Sequence, residues 1–148
     1  LTPEQQVLAD VACNFASAQY DFDPTEVSDY DQILQRFEPF AGPALFEQIT
    51  ADVEEYGSIG DYDLWVREGA TTSVVCASAP FGKEPMKVTT LGGLEVDAWP
   101  MYTRTRVRME LPDAPTEQTY PTFVLYVAEL PGVQDPRVVR REVEHGEH

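Results

Sequence analysis

The spacing of apolar residues changes once along this chain, at Gly57, and that change constrains the fold more than any other feature. Before it, apolar residues recur every three or four positions: Val7, Leu8, Val11, Phe15 and Ala18, then Tyr30, Ile33, Leu34 and Phe37, then Leu45, Phe46, Ile49, Val53 and Tyr56. After it they alternate. A period near 3.6 lays one apolar stripe along a helix, whereas a period of 2 lays one apolar face along a strand. The sequence therefore predicts three helices followed by antiparallel strands. This is an α+β arrangement in which N-terminal helices pack on one face of a curved sheet of four to six strands. A length of 148 residues suits one domain with one core.

Local signals place the elements. Thr2 before Pro3 starts the first helix, with Thr as N-cap and Pro in the first turn, and the helix should run to about Tyr20. Its other side carries Ala9, Cys13, Ala16 and Tyr20, so it is expected to touch protein on two sides and to be the central element. An acidic loop over 21–31 leads to Ser28 as the second N-cap, with Asp29 and Asp31 in the first turn, and Pro39 ends that helix. Gly42 and Pro43 open the third helix, and Gly57 stands where a left-handed C-terminal cap belongs. Residues 1–57 thus form a helical layer. Strands are expected over 63–68, 71–79, 94–99, 101–111, 119–130 and, at the edge, 137–143. Residues 88–90 would pair across Gly92-Gly93 with the third of these, and 112–115 form a turn. The tail 144–148 is expected to be flexible.

Charge narrows the partners. Ten Lys and Arg stand against twenty-six Asp and Glu, a net of −16. Such a chain repels phosphate backbones and has no counterions to release, so neither nucleic acid nor an anionic membrane surface is an expected partner. Protein partners, or self-association, fit better. Residues 1–68 hold fifteen acids and two bases, a net of −13, while 69–148 carry a net of only −3. With 43% apolar residues the chain is too rich in core-forming side chains to be a disordered acidic tail. No window reaches the roughly 18 consecutive apolar residues of a membrane span. The first twenty residues show no basic leader, and residue 1 is Leu. The expectation is a piece of a longer precursor whose anchor or signal segment lies outside these residues.

Cys13 and Cys76 lie 63 residues apart with no CxxC and no neighbouring His, which excludes a zinc spacing. Two readings stay open: two separate buried thiols, or one disulfide. A bridge closing that loop would add about 4 kcal/mol in the chain-entropy account and would imply export. The run from Asp21 to Gln32 imitates a calcium loop but has Glu26 where glycine is needed and Gln32 where a bidentate Glu is needed. No metal and no cofactor are expected. Histidine occurs only at His145 and His148, in the tail; Ser17, Ser28, Ser58, Ser73 and Ser78 lack a nucleophile motif and any His in the body to act as base. No catalytic residue is assigned.

Arg104, Arg106 and Arg108 form the single basic cluster, and strand alternation sets all three on one face, opposite Thr103, Thr105, Val107 and Met109. They either pair with acids on a neighbouring strand or form a protein-contact surface for an acidic partner, such as another copy's helical layer.

The segments VACNFASAQYDF (11–22) and LQRFEPFAGPALFEQI (34–49), the acidic loop between them and the strand-rich second half resemble the cone-shaped, cystatin-like fold of the nuclear transport factor 2-like superfamily. Within it, the chain looks most like extracytoplasmic domains of conjugation and type IV secretion channel proteins, and of actinobacterial proteins found beside Mce lipid-transport systems. The closing RREVEHGEH departs from their usual apolar last strand. The resemblance implies an exported, membrane-tethered domain that serves assembly and not catalysis. It also implies an alternative, since superfamily isomerases and dehydratases place a Tyr or Asp of raised pKa in the cone's apolar pocket. Tyr20, Tyr102, Tyr126 and Asp63 are eligible, with Trp65 and Trp99 read as core or rim anchors. A small-molecule ligand would require an apolar cavity of roughly 300 Å³ or more with one or two convergent polar groups.

Overall fold

A computed structural model describes residues 1–21, 23, 30–56 and 67–143, the side chains of Tyr30, Tyr56 and Val143 excepted. Helix α1 (Pro3–Tyr20) begins with a reciprocal cap: Thr2 Oγ1 accepts from the Gln5 N–H at 3.1 Å, and Gln5 Oε1 accepts from the Thr2 N–H at 3.0 Å. Its buried residues, Leu8, Ala9, Val11, Ala12, Phe15 and Ala16, spread over more than one stripe because the helix lies between the sheet and α2 (Tyr30–Phe37). Val7 departs from the expected stripe. It is 49% exposed, since Leu8 and Val11 already fill the inward positions of that turn. A 3-10 turn at Glu38–Phe40, started by Pro39, connects α2 to α3 (Pro43–Tyr56). Ser28, Gly57 and most of the expected strand 63–68 lie outside the described residues. Its last two positions, Arg67 and Glu68, are helical and not extended.

The strands are β1 (Thr71–Pro80), β2 (Met86–Thr89), β3 (Glu95–Glu110), β4 (Glu117–Thr119), β5 (Thr122–Ala128) and β6 (Arg137–Val143). All pair antiparallel in the order β1-β3-β5-β6, with β2 and β4 also on β3. Two expected strands, 94–99 and 101–111, are one strand that runs through Pro100. The physical reason lies at its neighbours. β1 ends opposite Met101 and β2 begins opposite Ala98, so Pro100 faces the gap between them. Its carbonyl accepts there from the Phe81 N–H at 2.7 Å. A residue's N–H and C=O point to the same edge of an antiparallel strand, so the donor that proline lacks removes one bond, to Phe81 just past the end of β1, and interrupts neither the β1 nor the β2 ladder. Conversely, the expected strand 119–130 is broken at Tyr120-Pro121 into β4 and β5. The Pro121 carbonyl accepts from both the N–H and the hydroxyl of Thr105, at 3.0 and 2.7 Å.

The outer side of β6 is met by the chain between α2 and α3. Ala41 bridges Val138 in parallel, the Gly42 N–H donates to the Val138 carbonyl at 2.7 Å, and the Arg137 guanidinium donates to the carbonyls of Glu38 and Ala41. Gly42 eases this approach, since a Cβ there would stand 3.3 Å from Leu130 Cδ1, which would have to shift slightly.

The helices cover one face of the sheet. Met101, Thr103, Thr105, Val107 and Met109 point into it, and Phe15 meets Phe37 edge to face at 5.6 Å. The two threonines of this row are satisfied, Thr103 by Ser78 and the Met101 carbonyl, Thr105 by Pro121. A Cys13–Cys76 disulfide, with Cα atoms 5.7 Å apart, clips α1 to β1 on this side. On the opposite face, Val88, Ala98, Val124, Tyr126, Ala128 and Val139 form a second, smaller cluster. There the β2–β3 hairpin curls over until its tip reaches the start of α3: a Cβ on Gly92 would stand 3.6 Å from Ala44 Cβ.

Candidate functional site

Beyond that second cluster the uncovered face carries the arginine row. Arg104, Arg106 and Arg108 are all exposed, and the ladder fixes what lies beside them. On the β1 side their partners are Ala77, Val75 and Ser73; on the other side Arg104 faces Thr122 and Arg108 faces Gln118. None of these is an acid. The nearest carboxylate is on the same strand, Glu110, whose Oε1 lies 3.5 Å from Arg108 Nε with both side chains more than half exposed. Arg104 stands 6.0 Å from the ring centre of Tyr102, at the outer limit of a cation–π contact. Cross-strand neutralisation, the alternative reading of this row, therefore does not occur among the described residues. Contrast the next basic pair along the face. Arg140 lies 2.8 Å from Glu142 and 5.3 Å from the centre of the Tyr126 ring, a compact arrangement neutralised locally.

The structure does not gather the three eligible phenols. Tyr20 ends α1 on the helix-covered face, its ring 6.1 Å from that of Phe123; burial pushes its hydroxyl above the usual value near 10, and the Arg141 charge partly opposes that. Tyr126 lies on the other face. Its hydroxyl is also raised, first by burial and then by donating to Glu142 Oε2 at 3.1 Å beside that negative charge, with Arg140 opposing. Tyr102 packs against Phe81 with ring centres 6.0 Å apart. Asp63, Trp65, Ser28, Ser58, His145 and His148 lie outside the described residues. Ser78 is engaged with Thr103, Ser73 is exposed beside the arginines, and the Ser17 carbonyl closes the end of α1. Trp99 packs on the main core, as an anchor would. Among the described residues no three His, Cys, Asp or Glu side chains are grouped to hold a metal. No described helix is long and apolar enough to cross a membrane.

Between α1 and the sheet, beside Phe15, Phe123 and Leu125, no room for a water remains. A half-open cavity of about 340 Å³ exists elsewhere, under the hairpin tip. It is lined by Gly42 to Leu45 at the start of α3, by Thr90 and Leu94 of the hairpin, and by Leu130, Pro131, Val133 and Val139. None of Tyr20, Tyr102 or Tyr126 reaches it. Sequence reasoning missed this cavity because four separate stretches build it. The available signal was composition: LGGL (91–94) and LPGV (130–133) put large apolar side chains in turns, where polar residues are usual. A wider depression of about 550 Å³ lies between the first turns of α1 and Trp99, with Glu4, Asp97 and Glu129 on its lining.

No family model matches the chain, and no curated protein or solved structure matches it.

Proposed function

We propose that this is a non-catalytic interaction domain, exported from the cytoplasm, that docks the arginine row of β3 against the acidic helical half of another copy. The observation that carries the reading is the row itself: three guanidinium groups on an uncovered sheet face, with no acid paired opposite any of them across the ladder. Arginine presents a planar fork of donors suited to carboxylates, and the helical half offers a net of −13. The disulfide supports an oxidising compartment, because such bridges persist outside the reducing cytosol. A tethered place in a cell-envelope assembly, such as a conjugation or secretion channel, is the setting that the sequence resemblance suggests for such a domain.

A contact between two different patches is heterologous, so it propagates into rings or chains and does not stop at a symmetric pair. Its salt dependence has a definite shape. At about 0.1 M salt the Debye length is roughly 10 Å, which mutes the overall repulsion between two strongly negative molecules but leaves charges in direct contact unscreened. Sedimentation velocity at 0.1 M and 0.5 M salt should show concentration-dependent association that weakens at the higher value. Replacing Arg104, Arg106 and Arg108 together with Ser should abolish it and leave the melting temperature nearly unchanged. A wild-type protein that is monomeric at both salt concentrations overturns the proposal.

A further inference from the structure

We infer that the cavity under the hairpin tip is a binding site for a small uncharged molecule with a hydrocarbon body and one hydrogen-bond-accepting oxygen, of the ketone or ester class. Its volume of about 340 Å³ falls within the range of small-molecule sites. The lining selects for lack of charge. None of its ten residues is ionisable, in a chain where 24% of residues are charged. No charged side chain lines it to pair with an ion that leaves water.

The polar side of the lining is equally specific. Around the hairpin tip the backbone groups are already used: the Thr90 N–H donates to the Leu94 carbonyl at 2.7 Å, and the Gly93 N–H donates to the Thr90 carbonyl at 2.9 Å. The Leu94 N–H donates to Thr90 Oγ1 at 3.1 Å. That last bond orients the Thr90 side chain as an acceptor toward its own turn and leaves its O–H as the single side-chain donor on the cavity wall. A ligand with one acceptor oxygen satisfies it; a pure hydrocarbon does not. The site is half open on the hairpin side, where Leu94 of the lining is 45% exposed. This site is separate from the arginine row, so either proposal can fail without the other.

The test is a titration of the intact chain with 2-octanone, followed by amide chemical shifts, with sodium octanoate as the charged comparator of equal length. Saturable one-to-one shifts at Thr90, Leu94, Val133 and Val139 are expected, with octanoate at least about tenfold weaker. Val133→Phe should fill the space and abolish binding. Thr90→Val should weaken 2-octanone about fivefold by removing the donor, and Thr90→Ser should retain binding. Where Val133→Phe does not fold, the Val and Ser pair at position 90 decides. The inference is overturned if no saturable shift appears, if the shifts map outside the cavity, if octanoate binds as tightly as the ketone, or if Thr90→Val binds as well as Thr90→Ser.

Discussion

The two faces of β3 follow one alternation but meet opposite fates. On one face Met101, Thr103, Thr105, Val107 and Met109 are buried by α1 and its neighbours, and the two hydroxyls among them are bonded. On the other, the even-numbered positions begin as core and end in water: Ala98 is fully buried beneath the curled hairpin, whereas Arg104, Arg106 and Arg108 are exposed. A sheet with a single helical layer has one face to spare. Here half of the spare face is closed by the protein's own hairpin and half is left bearing cations. The difference teaches where function is available: the covered face is committed to stability, and substitutions on the open half reach a partner without disturbing the core.

The sharpest way to break that division is to loosen the covered face. Cys13→Ser together with Cys76→Ser frees α1 from β1 and reopens a loop of 63 residues in the unfolded chain. The expected loss is about 4 kcal/mol, read as a lower urea midpoint. The same loss should follow from reduction of the wild type before unfolding. If the variant unfolds at the wild-type midpoint, the disulfide contributes nothing and the covered face is held by packing alone. Thiol titration of unreduced, denatured protein should find no free cysteine.

Much of this architecture was legible in the sequence, and the reasons are local. The cap at Thr2-Pro3, the inward positions Ile33, Leu34 and Phe37, and the ranges of β1 and β6 all rest on short-range signals: capping, period and β-branched composition. Where such signals misled, the competing cause was tertiary. Pro100 reads as a strand break until the pairing places it between the ends of β1 and β2, where one missing donor interrupts neither ladder. Val7 reads as core until the sheet and α2 have claimed the other sides of α1. For the candidate site the limit is sharper. Alternation places the three arginines on one face, but the absence of acids beside them depends on which strands flank β3 and in what register. The cavity was beyond reach because its walls come from stretches far apart in the chain, 42–45, 90–94, 130–133 and Val139.

A smaller effect tests the boundary between the two halves of the open face, where Tyr126 is 8% exposed and donates to Glu142 at 3.1 Å. Tyr126→Phe should cost about 1 kcal/mol at pH 8 through loss of that bond. Its pH dependence has a fixed sign. The folded protein raises the Tyr126 hydroxyl above its usual value near 10, so folding holds the proton more tightly than the unfolded chain does. Stability from this source is fully present below about pH 10 and is lost as the pH climbs from there through the raised value. The Phe variant should therefore lose less stability than the wild type between pH 8 and pH 10.5 in paired urea titrations. Tyr20→Phe, on the covered face, should flatten the same alkaline loss, because burial raises that hydroxyl too. Equal alkaline slopes in all three proteins would show that neither phenol is held as described.

The smallest expected effect compares two ion pairs on the same open face. Arg140 and Glu142 are 2.8 Å apart, about half exposed, and share the Tyr126 ring and hydroxyl as neighbours. Arg108 and Glu110 are 3.5 Å apart, more exposed, and have uncharged Ser73 and Gln118 across the ladder from Arg108. Exposed pairs are commonly worth about 0.2–1 kcal/mol, falling with salt and with poor geometry. Double-mutant cycles with Ala at each position should give the first pair a coupling in the upper part of that range and the second a coupling near zero. The reasoning is geometric: the first pair is fixed by a third group, so less side-chain entropy is lost in forming it, whereas Arg108 must surrender hydration and rotamer freedom for one marginal contact. An arginine that gains so little from its own chain can change partners at little cost, as a docking residue must. A coupling for Arg108 and Glu110 as large as that of the inner pair would mean that Arg108 is already engaged, and would reduce the contact row to Arg104 and Arg106.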